Sequence, residues 1–545
     1  MLDIDPVAIS RLQFAFTVSF HIIFPAFTIG LAAWLATLEG LSLVTGRPVF
    51  RRLFDFWLKV FAIAFGLGVV SGLVMAFQFG TNWSELSTRA GPIQGPLLAY
   101  ESFTAFLLEA TFFGVLLFGR EKVPRWAYFV SALMVALGTT FSAFWIMANN
   151  TWMQVPVGYE LVDGSFVPSD WGEILFDPVL WVRFPHMLLG AYLTTAFCVT
   201  ATGAWYLLRQ RHLAEARVML TMGLGIAAVL TPLQIGYGHF NGEYTAEHQP
   251  GKFTTIEGRW QTEQPARLVL FAWPDIANER NRFEIALPFL GSFVDQGNFS
   301  GEEPGIVTVP ADERPPFLIP FYAFRIMVGI GLIMLAISWG GVWMLLRGRW
   351  RKHRASEPDR ARTQRNNQRP ADSVANPGLE PMPGNQHAIT VTPAAATSLP
   401  RWFLWASFLT WPSGFIAVLT GWLTAEVGRQ PWVIYGAMRT ADAVTPSLSS
   451  NAALTSLSAY LLVYTLIFSA GTLYLYRLLR EGPTDDGPDD QHQAVTDPQA
   501  GKRGLTPSRP LAVGGLDPLL KGRDSMPTPG QSADDLSPGT YGGAA

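Results

Sequence analysis

Glu426 and Arg429 stand three residues apart at the end of an apolar run, Trp402 to Ala425, that carries no charged residue. Such a run is long enough to cross a bilayer, and a carboxylate at its edge is costly unless it is paired, solvated or bound to a metal. On a continuing helix Trp422, Glu426 and Arg429 share one face. Other apolar runs hold few ionisable groups. His21 is the only one between Arg11 and Glu39, roughly 15 Å along a helix from Arg11. His186 follows Trp181-Val182-Arg183-Phe184-Pro185, and Met327 follows Phe324-Arg325-Ile326. Glu101 and Glu109 lie in one run, slightly over two turns apart, so both project from roughly one side. Outside the runs, Gln249-Pro250-Gly251-Lys252-Phe253-Thr254-Thr255-Ile256-Glu257-Gly258-Arg259-Trp260 offers Lys252 and Glu257, which could hold and deprotonate a small polar head group.

The elements that must position these residues follow from composition. Of 545 residues, 49% are hydrophobic and 15% charged, against about 25% charged in a soluble chain. The 19 Trp and 38 Phe supply the aromatic load of membrane helices with interfacial belts. The single cysteine, Cys198, excludes a disulfide framework and a thiolate metal site. Met1 to Asp5 lacks a basic stretch, so no cleavable leader is expected.

Nine spans are predicted at 13–41, 56–82, 95–118, 127–149, 184–208, 218–240, 321–346, 402–426 and 454–476. Lys and Arg cluster in alternate loops: Arg47, Arg51 and Arg52; Arg120, Lys122 and Arg125; Arg209, Arg211 and Arg217; then Arg347 to Arg354. The intervening loop 150–183 is acidic, with Glu160, Asp163, Asp170, Glu173 and Asp177. The positive-inside rule therefore predicts an all-α polytopic membrane protein, its N-terminus outside and its C-terminus cytoplasmic. The expected organisation is transmembrane helices 1–6 (1–240), an ordered outer loop (241–320), helix 7 (321–346), a basic cytoplasmic linker (347–400), helices 8–9 (401–480) and a disordered cytoplasmic tail (481–545).

This topology puts His186 and Met327 at similar depth on the outer side. A neutral imidazole facing a thioether is a recognised low-spin haem ligation, and the adjacent Arg183 and Arg325 could pair with propionates. Taken singly, a histidine in a bundle is more often a hydrogen-bonded polar group and a methionine core packing. Glu101 and Glu109, stacked along a helix, suggest a proton path, since burial pushes a carboxylate towards holding a proton. The other reading is a structural hydrogen-bonding group. A haem-free secondary transporter would instead use Glu101, Glu109, Glu426 and Arg429 as coupling-ion residues. A haem-binding electron carrier that leaves oxygen alone is a third possibility.

Several stretches carry a resemblance. They are Arg11-Leu12-Gln13-Phe14 through His21 to Thr28-Ile29-Gly30, Phe79-Gly80-Thr81-Asn82-Trp83 and Trp152-Met153-Gln154-Val155-Pro156-Val157-Gly158. To these add Phe324-Arg325-Ile326-Met327-Val328-Gly329, Gly428-Arg429-Gln430-Pro431-Trp432, and Lys252 and Glu257 followed by Trp260. From about residue 5 to 480 the chain resembles subunit I of the cytochrome bd-type quinol oxidases, and the short stretch from Trp260 to Arg325 resembles their short-loop, cyanide-insensitive branch.

The resemblance implies a terminal oxidase of the bacterial plasma (inner) membrane that oxidises ubiquinol or menaquinol at the outer face and reduces O2 to water. It would use cytoplasmic protons and generate a proton-motive force without pumping. It implies a low-spin haem b, a high-spin haem b, and haem d or a second high-spin haem b. His186 and Met327 would ligate the low-spin haem, steadied by Arg325. His21 and Glu426 would ligate the other two, in an order left open, with Glu101 against that pair. Lys252 and Glu257 would bind and oxidise quinol, while Glu109, with Ser142 as a possible neighbour, would belong to the proton path. Arg429 is left to a propionate or to Glu426, and Trp422 to an electron path or an interfacial belt. A second membrane subunit and a small single-span subunit are the implied partners; no nucleic-acid partner is expected.

Overall fold

In a bilayer every backbone polar group must be satisfied inside the protein, and a helix does this within one segment. The computed structural model describes residues 5–367 and 399–483. Among the described residues, nine helical segments are long and apolar enough to cross a membrane. The first is α1 (Pro6–Thr45), capped by the Asp5 carboxylate on the Val7 N–H and stopped at Gly46. Next come α2 (Pro48–Thr81) and a third segment built of α3 (Ser84–Tyr100), one π-helical stretch (Glu101–Phe106) and α4 (Leu107–Phe118). After α5 (Arg125–Gln154), the hairpin β1 (Tyr159–Val162) and β2 (Ser165–Pro168) and the short α6 (Trp171–Phe176) lead into α7 (Pro178–Leu208). Then α8 (Leu213–His248) runs directly into α9 (Pro250–Glu257).

An antiparallel hairpin, β3 (Leu268–Asp275) with β4 (Arg280–Leu287), and α10 (Leu290–Gln296) follow. The chain re-enters through α11 (Leu318–Asn367) and α12 (Arg401–Leu409) with α13 (Ser413–Gly428). A small hairpin, β5 (Trp432–Ile434) and β6 (Met438–Arg439), precedes α14 (Ser450–Glu481).

The helices differ from the predicted spans in four places. The span predicted to end at 240 continues to His248, because backbone hydrogen bonding outlasts the apolar residues of α8. The outer loop predicted from 241 thus begins with helix. The run 402–426 is two helices, broken at Thr410-Trp411-Pro412, where proline has no N–H to donate. Span three carries the π-helical stretch at Glu101. Finally α11 continues to Asn367, so the linker expected at 347–400 starts as helix. Residues 368–398 of that linker, and all of the expected tail beyond 483, lie outside the described residues.

One end of the bundle gathers the short basic loops. Arg120 pairs with Glu39 at 3.0 Å and Asp55 at 3.1 Å, Arg52 pairs with Glu215 at 2.6 Å, and Arg211 donates to the Arg480 carbonyl at 3.1 Å. Near that end Leu35, Phe54, Trp57, Phe61, Tyr128 and Leu220 form the larger core. A second core, with Trp83, Trp152, Phe166 and Ile434, packs the helices against the β1–β2 and β5–β6 hairpins. The β3–β4 hairpin is moored to α11: Tyr322 Oη donates to the Ala272 carbonyl at 3.1 Å and Arg325 to Val269 at 2.8 Å.

Candidate functional site

Glu426 falls in the last turn of α13, where the helix dipole disfavours a carboxylate. Arg429 answers it: Nη2 donates to Glu426 Oε2 at 2.6 Å, one of the two partners the sequence left open. From α5, Asn150 Nδ2 and Gln154 Nε2 donate to Glu426 Oε1 at 2.8 and 3.2 Å. Arg183 of α7 braces this pair, donating to Asn150 Oδ1 at 2.6 Å and Thr151 Oγ1 at 2.9 Å. Lys252 of α9 reaches in from the outer segment, its ammonium donating to Gln154 Oε1 at 2.6 Å. Burial, with Arg183 and then Arg429 nearby, holds its proton affinity well below that of a free lysine, partly opposed by Glu426.

The pocket therefore sets three cationic side chains against one carboxylate. Arg429 Nε and Nη1, both buried, have no hydrogen-bond partner among the described residues. Buried cations demand anionic partners, so the residues fit a group that brings carboxylates of its own, as a haem's two propionates do. Glu426 Oε2 accepts the bond from Arg429 and keeps a lone pair that a metal could take.

His186 and Met327 come from different helices and face glycines. A Cβ on Gly238 of α8 would stand 3.3 Å from His186 Cε1, and one on Gly421 of α13 would stand 3.0 Å from Met327 Sδ. Gly190, one turn after His186, faces Val418 of α13 and Gln234 of α8. Gln234 Nε2 is 3.4 Å from His186 Nε2, and His186 Nδ1 is buried with no partner among the described residues. Helices α7 and α11 thus set an imidazole and a thioether against glycines of α8 and α13. That donor set and that cradle fit a low-spin haem.

On α1, His21 Nδ1 lies 3.0 Å from Ser71 Oγ of α2, and the ring packs against Gly72, where a Cβ would be 3.0 Å from Cε1. Anchoring one ring nitrogen fixes the other as a potential ligand. Among the described residues no three His, Cys, Asp or Glu converge to hold a bare ion. A haem iron brings four nitrogens of its own, so single residues such as His21 or Glu426 suffice. Trp422 is half-buried and packs against the Trp83–Trp152 core.

Both span-three carboxylates lean on one face of α5. Ser142 Oγ donates to Glu101 Oε1 at 2.8 Å. Gly138, one turn earlier, admits the Glu109 side chain: a Cβ on Gly138 would stand 2.6 Å from Glu109 Cγ. Ser142, expected as a possible neighbour of Glu109, thus has its hydroxyl on Glu101, the first residue of the π-helical stretch. Glu109 is buried, and its Oε1 has no partner among the described residues.

Lys252 and Glu257 do not meet. Five residues turn a helix by about 140° beyond a full circle, so they sit on different faces of α9. Lys252 points to Gln154, while Glu257 faces the buried Arg259 at 3.6 Å. Glu257 is pushed up to about 7 by burial and by Asp295, against the pull of Arg259 and Arg325. Arg325 supports this site by its backbone: it donates to the carbonyls of Ile256 (2.7 Å), Glu257 (3.1 Å), Val269 (2.8 Å) and Phe321 (3.0 Å). Its terminal N–H groups thus hold the outer segment, and the buried Nε, without a partner among the described residues, is what remains for the propionate that Arg325 could meet.

Sequence reasoning missed Asn150, Gln154, Ser71, Arg259, Asp295 and Glu303. Gln154 and Arg259 lie inside motifs already singled out, which was the available signal. Asp295 and Glu303 sit in no local pattern and are joined to Arg259 only by the fold.

The chain matches the family model described as cytochrome bd terminal oxidase subunit I over residues 9–483. It is 31% identical to cytochrome bd ubiquinol oxidase subunit 1 of Bacillus subtilis (strain 168), across 90% of this chain and 97% of that protein. It is 32% identical to cytochrome bd-II ubiquinol oxidase subunit 1 of Escherichia coli (strain K12), across 88% and 97%. A putative cytochrome bd menaquinol oxidase subunit I of Bacillus subtilis (strain 168) is 26% identical across 88% and 98%. Among solved structures, the bd oxidase from Geobacillus thermodenitrificans superposes with a TM-score of 0.75 at 26% identity, over 89% of this chain and all of that one.

Proposed function

The chain belongs to the cytochrome bd terminal oxidase subunit I family, and from that premise we propose that it is the haem-bearing subunit of a quinol:oxygen oxidoreductase working from the outer face of a bacterial inner membrane. Membership sets aside the haem-free transporter. What supports the finer reading is that His186 and Met327 each lie against a glycine, Gly238 and Gly421, and that Arg429 beside Glu426 keeps buried N–H groups without partners among the described residues. When bound there, haems supply the electron transfer and the oxygen reduction. His186 and Met327 hold the low-spin group; His21 and Glu426 hold the other two, their order and the choice of haem d or b left to spectroscopy. Arg183, Arg429 and Lys252 supply charge for propionates.

At the outer segment Glu257 takes a proton from quinol, and Arg325 holds its backbone in place. Lys252 acts from beneath the loop, tying α9 to Gln154. Glu101 and Glu109, with Ser142, carry protons through span three. With the basic loops in the cytoplasm, protons leave quinol outside and enter water from inside, so charge separates without a pump. Trp422 shares the face of α13 that presents Glu426 and stands as an electron-path candidate. A subunit II and a small single-span subunit complete the assembly; both the ubiquinol and the menaquinol relatives leave the quinol species to experiment.

The test is oxygen uptake by the purified assembly with ubiquinol and with menaquinol, beside its reduced-minus-oxidised spectrum. Uptake with low- and high-spin haem bands is expected, with kcat/KM rising as pH climbs through about 7, where Glu257 loses its proton and becomes a base. Glu257→Ala should abolish uptake with the haem bands intact. No haem bands, or full turnover in that variant, would refute the reading.

A further inference from the structure

We propose that Asp295 and Glu303, gathered on the buried guanidinium of Arg259, receive the quinol's protons from Glu257 and pass them towards the outer aqueous face. The inference rests on the reading of Glu257 as the quinol base and names what that base hands its proton to.

Arg259 has a side-chain exposure of 0%, and three carboxylates converge on it. Glu257 Oε2 lies 3.6 Å from Nη2 and Asp295 Oδ2 pairs with the same nitrogen; Glu303 Oε2 lies 3.3 Å from Nη1. Glu257 and Asp295 therefore share one donor atom, which puts the two carboxylates beside each other. The chain is clamped to hold this shape. Glu263 and Glu303 exchange backbone hydrogen bonds at 3.0 and 2.9 Å, and Ser292 bridges Ala266 N and the Gly301 carbonyl at 2.7 Å each.

One guanidinium neutralises one carboxylate. Against Arg259 and the nearby Arg325, three ionised carboxylates would still leave one negative charge buried without counter-charge, which is strongly unfavourable. The cluster must hold protons, and a proton leaving one member is readily replaced from another. The groups facing it fit that task. Glu257 faces Asp295, Arg259, Arg325 and Glu303; Asp295 faces Arg259 and His239 of α8; Glu303 faces Arg259 and Asp295. Burial raises the proton affinity of all three carboxyls. Glu303 Oε1 and Arg259 Nε, both buried, have no hydrogen-bond partner among the described residues. His239 acts on Asp295 electrostatically, and its side chain, 47% exposed and 3.4 Å from the exposed Glu243, marks the solvent side of the cluster.

The step balances. Each quinol yields quinone, two protons and two electrons. A quinol O–H bond breaks as a Glu257 O–H bond forms, and the two electrons are those the oxidase activity delivers to dioxygen. Glu257 then passes its proton to Asp295 or Glu303, which releases one to the outer water and is ready for the next.

Asp295→Asn and Glu303→Gln in the assembled oxidase test this. Oxygen uptake is driven either by quinol across pH 5.5 to 8.5, roughly the window spanning the carboxylate and imidazole titrations, or by an aromatic diamine that gives electrons alone. Expected are a drop of about tenfold or more in quinol-driven kcat, the scale of a lost proton-transfer group, an acid limb moved along the pH axis, unchanged diamine-driven uptake, and recovery in Asp295→Glu. Wild-type quinol kcat and pH profile in both variants would overturn the relay. So would parallel loss of diamine-driven uptake and haem bands, the mark of a structural knot. Glu257→Gln runs alongside: if it keeps quinol turnover, the base reading itself has failed, whereas a dead Glu257→Gln beside silent Asp295 and Glu303 variants refutes the relay alone.

Discussion

Met327 shows what one side chain can reveal. A thioether in an apolar helix has no polar signature, and only its depth relative to His186 made it stand out. In the structure its sulfur lies against Gly421, where a Cβ would stand 3.0 Å from it. Met327→Leu nearly conserves volume, so it should cost under about 1.5 kcal/mol of stability while removing the low-spin band from the reduced-minus-oxidised spectrum. An unchanged band would dismiss Met327 as a ligand. Legibility at this scale followed charge in apolar surroundings: His21, Glu101, Glu109, His186 and Glu426 announced themselves because burying them is expensive. Asn150, Gln154 and Ser71 did not, since neutral polar residues are common in membrane helices and acquire meaning only from partners the fold supplies.

Among the elements, α9 and its stop are the most consequential. Gly258 ends α9 with φ of 79°, and a Cβ there would lie 2.6 Å from Phe321 Cε2 and 3.3 Å from Arg325 Nη2. Alanine at 258 would cost about 1–2 kcal/mol in backbone conformation alone and would push the loop off α11. Gly258→Ala is therefore expected to speed amide exchange across residues 250–260 and raise the quinol KM at constant haem content. Exchange rates equal to wild type would show that α11 does not moor the loop. The spans were readable because twenty apolar residues leave few alternatives. Their interruptions were not: the π-helical stretch at Glu101 has no breaker residue, and Pro412 sits where hydropathy stays high.

At the scale of the whole molecule, the charge pattern of the loops foretold one end of the bundle, where Arg52, Arg120 and Arg211 tie the turns and α14 together. The opposite end was less legible because its order is non-local: β3–β4 on α11, and Arg259 with carboxylates from three separate segments. Lys252 joins the two levels. Its ammonium belongs to the outer segment, yet Gln154 binds it and Glu426 together, and Gly428 leaves room for its stem, a Cβ there standing 2.7 Å from Lys252 Cγ. A cation so placed would set the midpoint potential of an iron held, as proposed, by Glu426, because net charge beside a haem governs how readily it accepts an electron. Lys252→Met should shift that midpoint to more negative values in a redox titration and leave the His186–Met327 haem where it was; an unmoved midpoint would mean that this lysine is carried without its charge. The loop that meets the reductant would then also trim the voltage at which the buried iron receives its electrons.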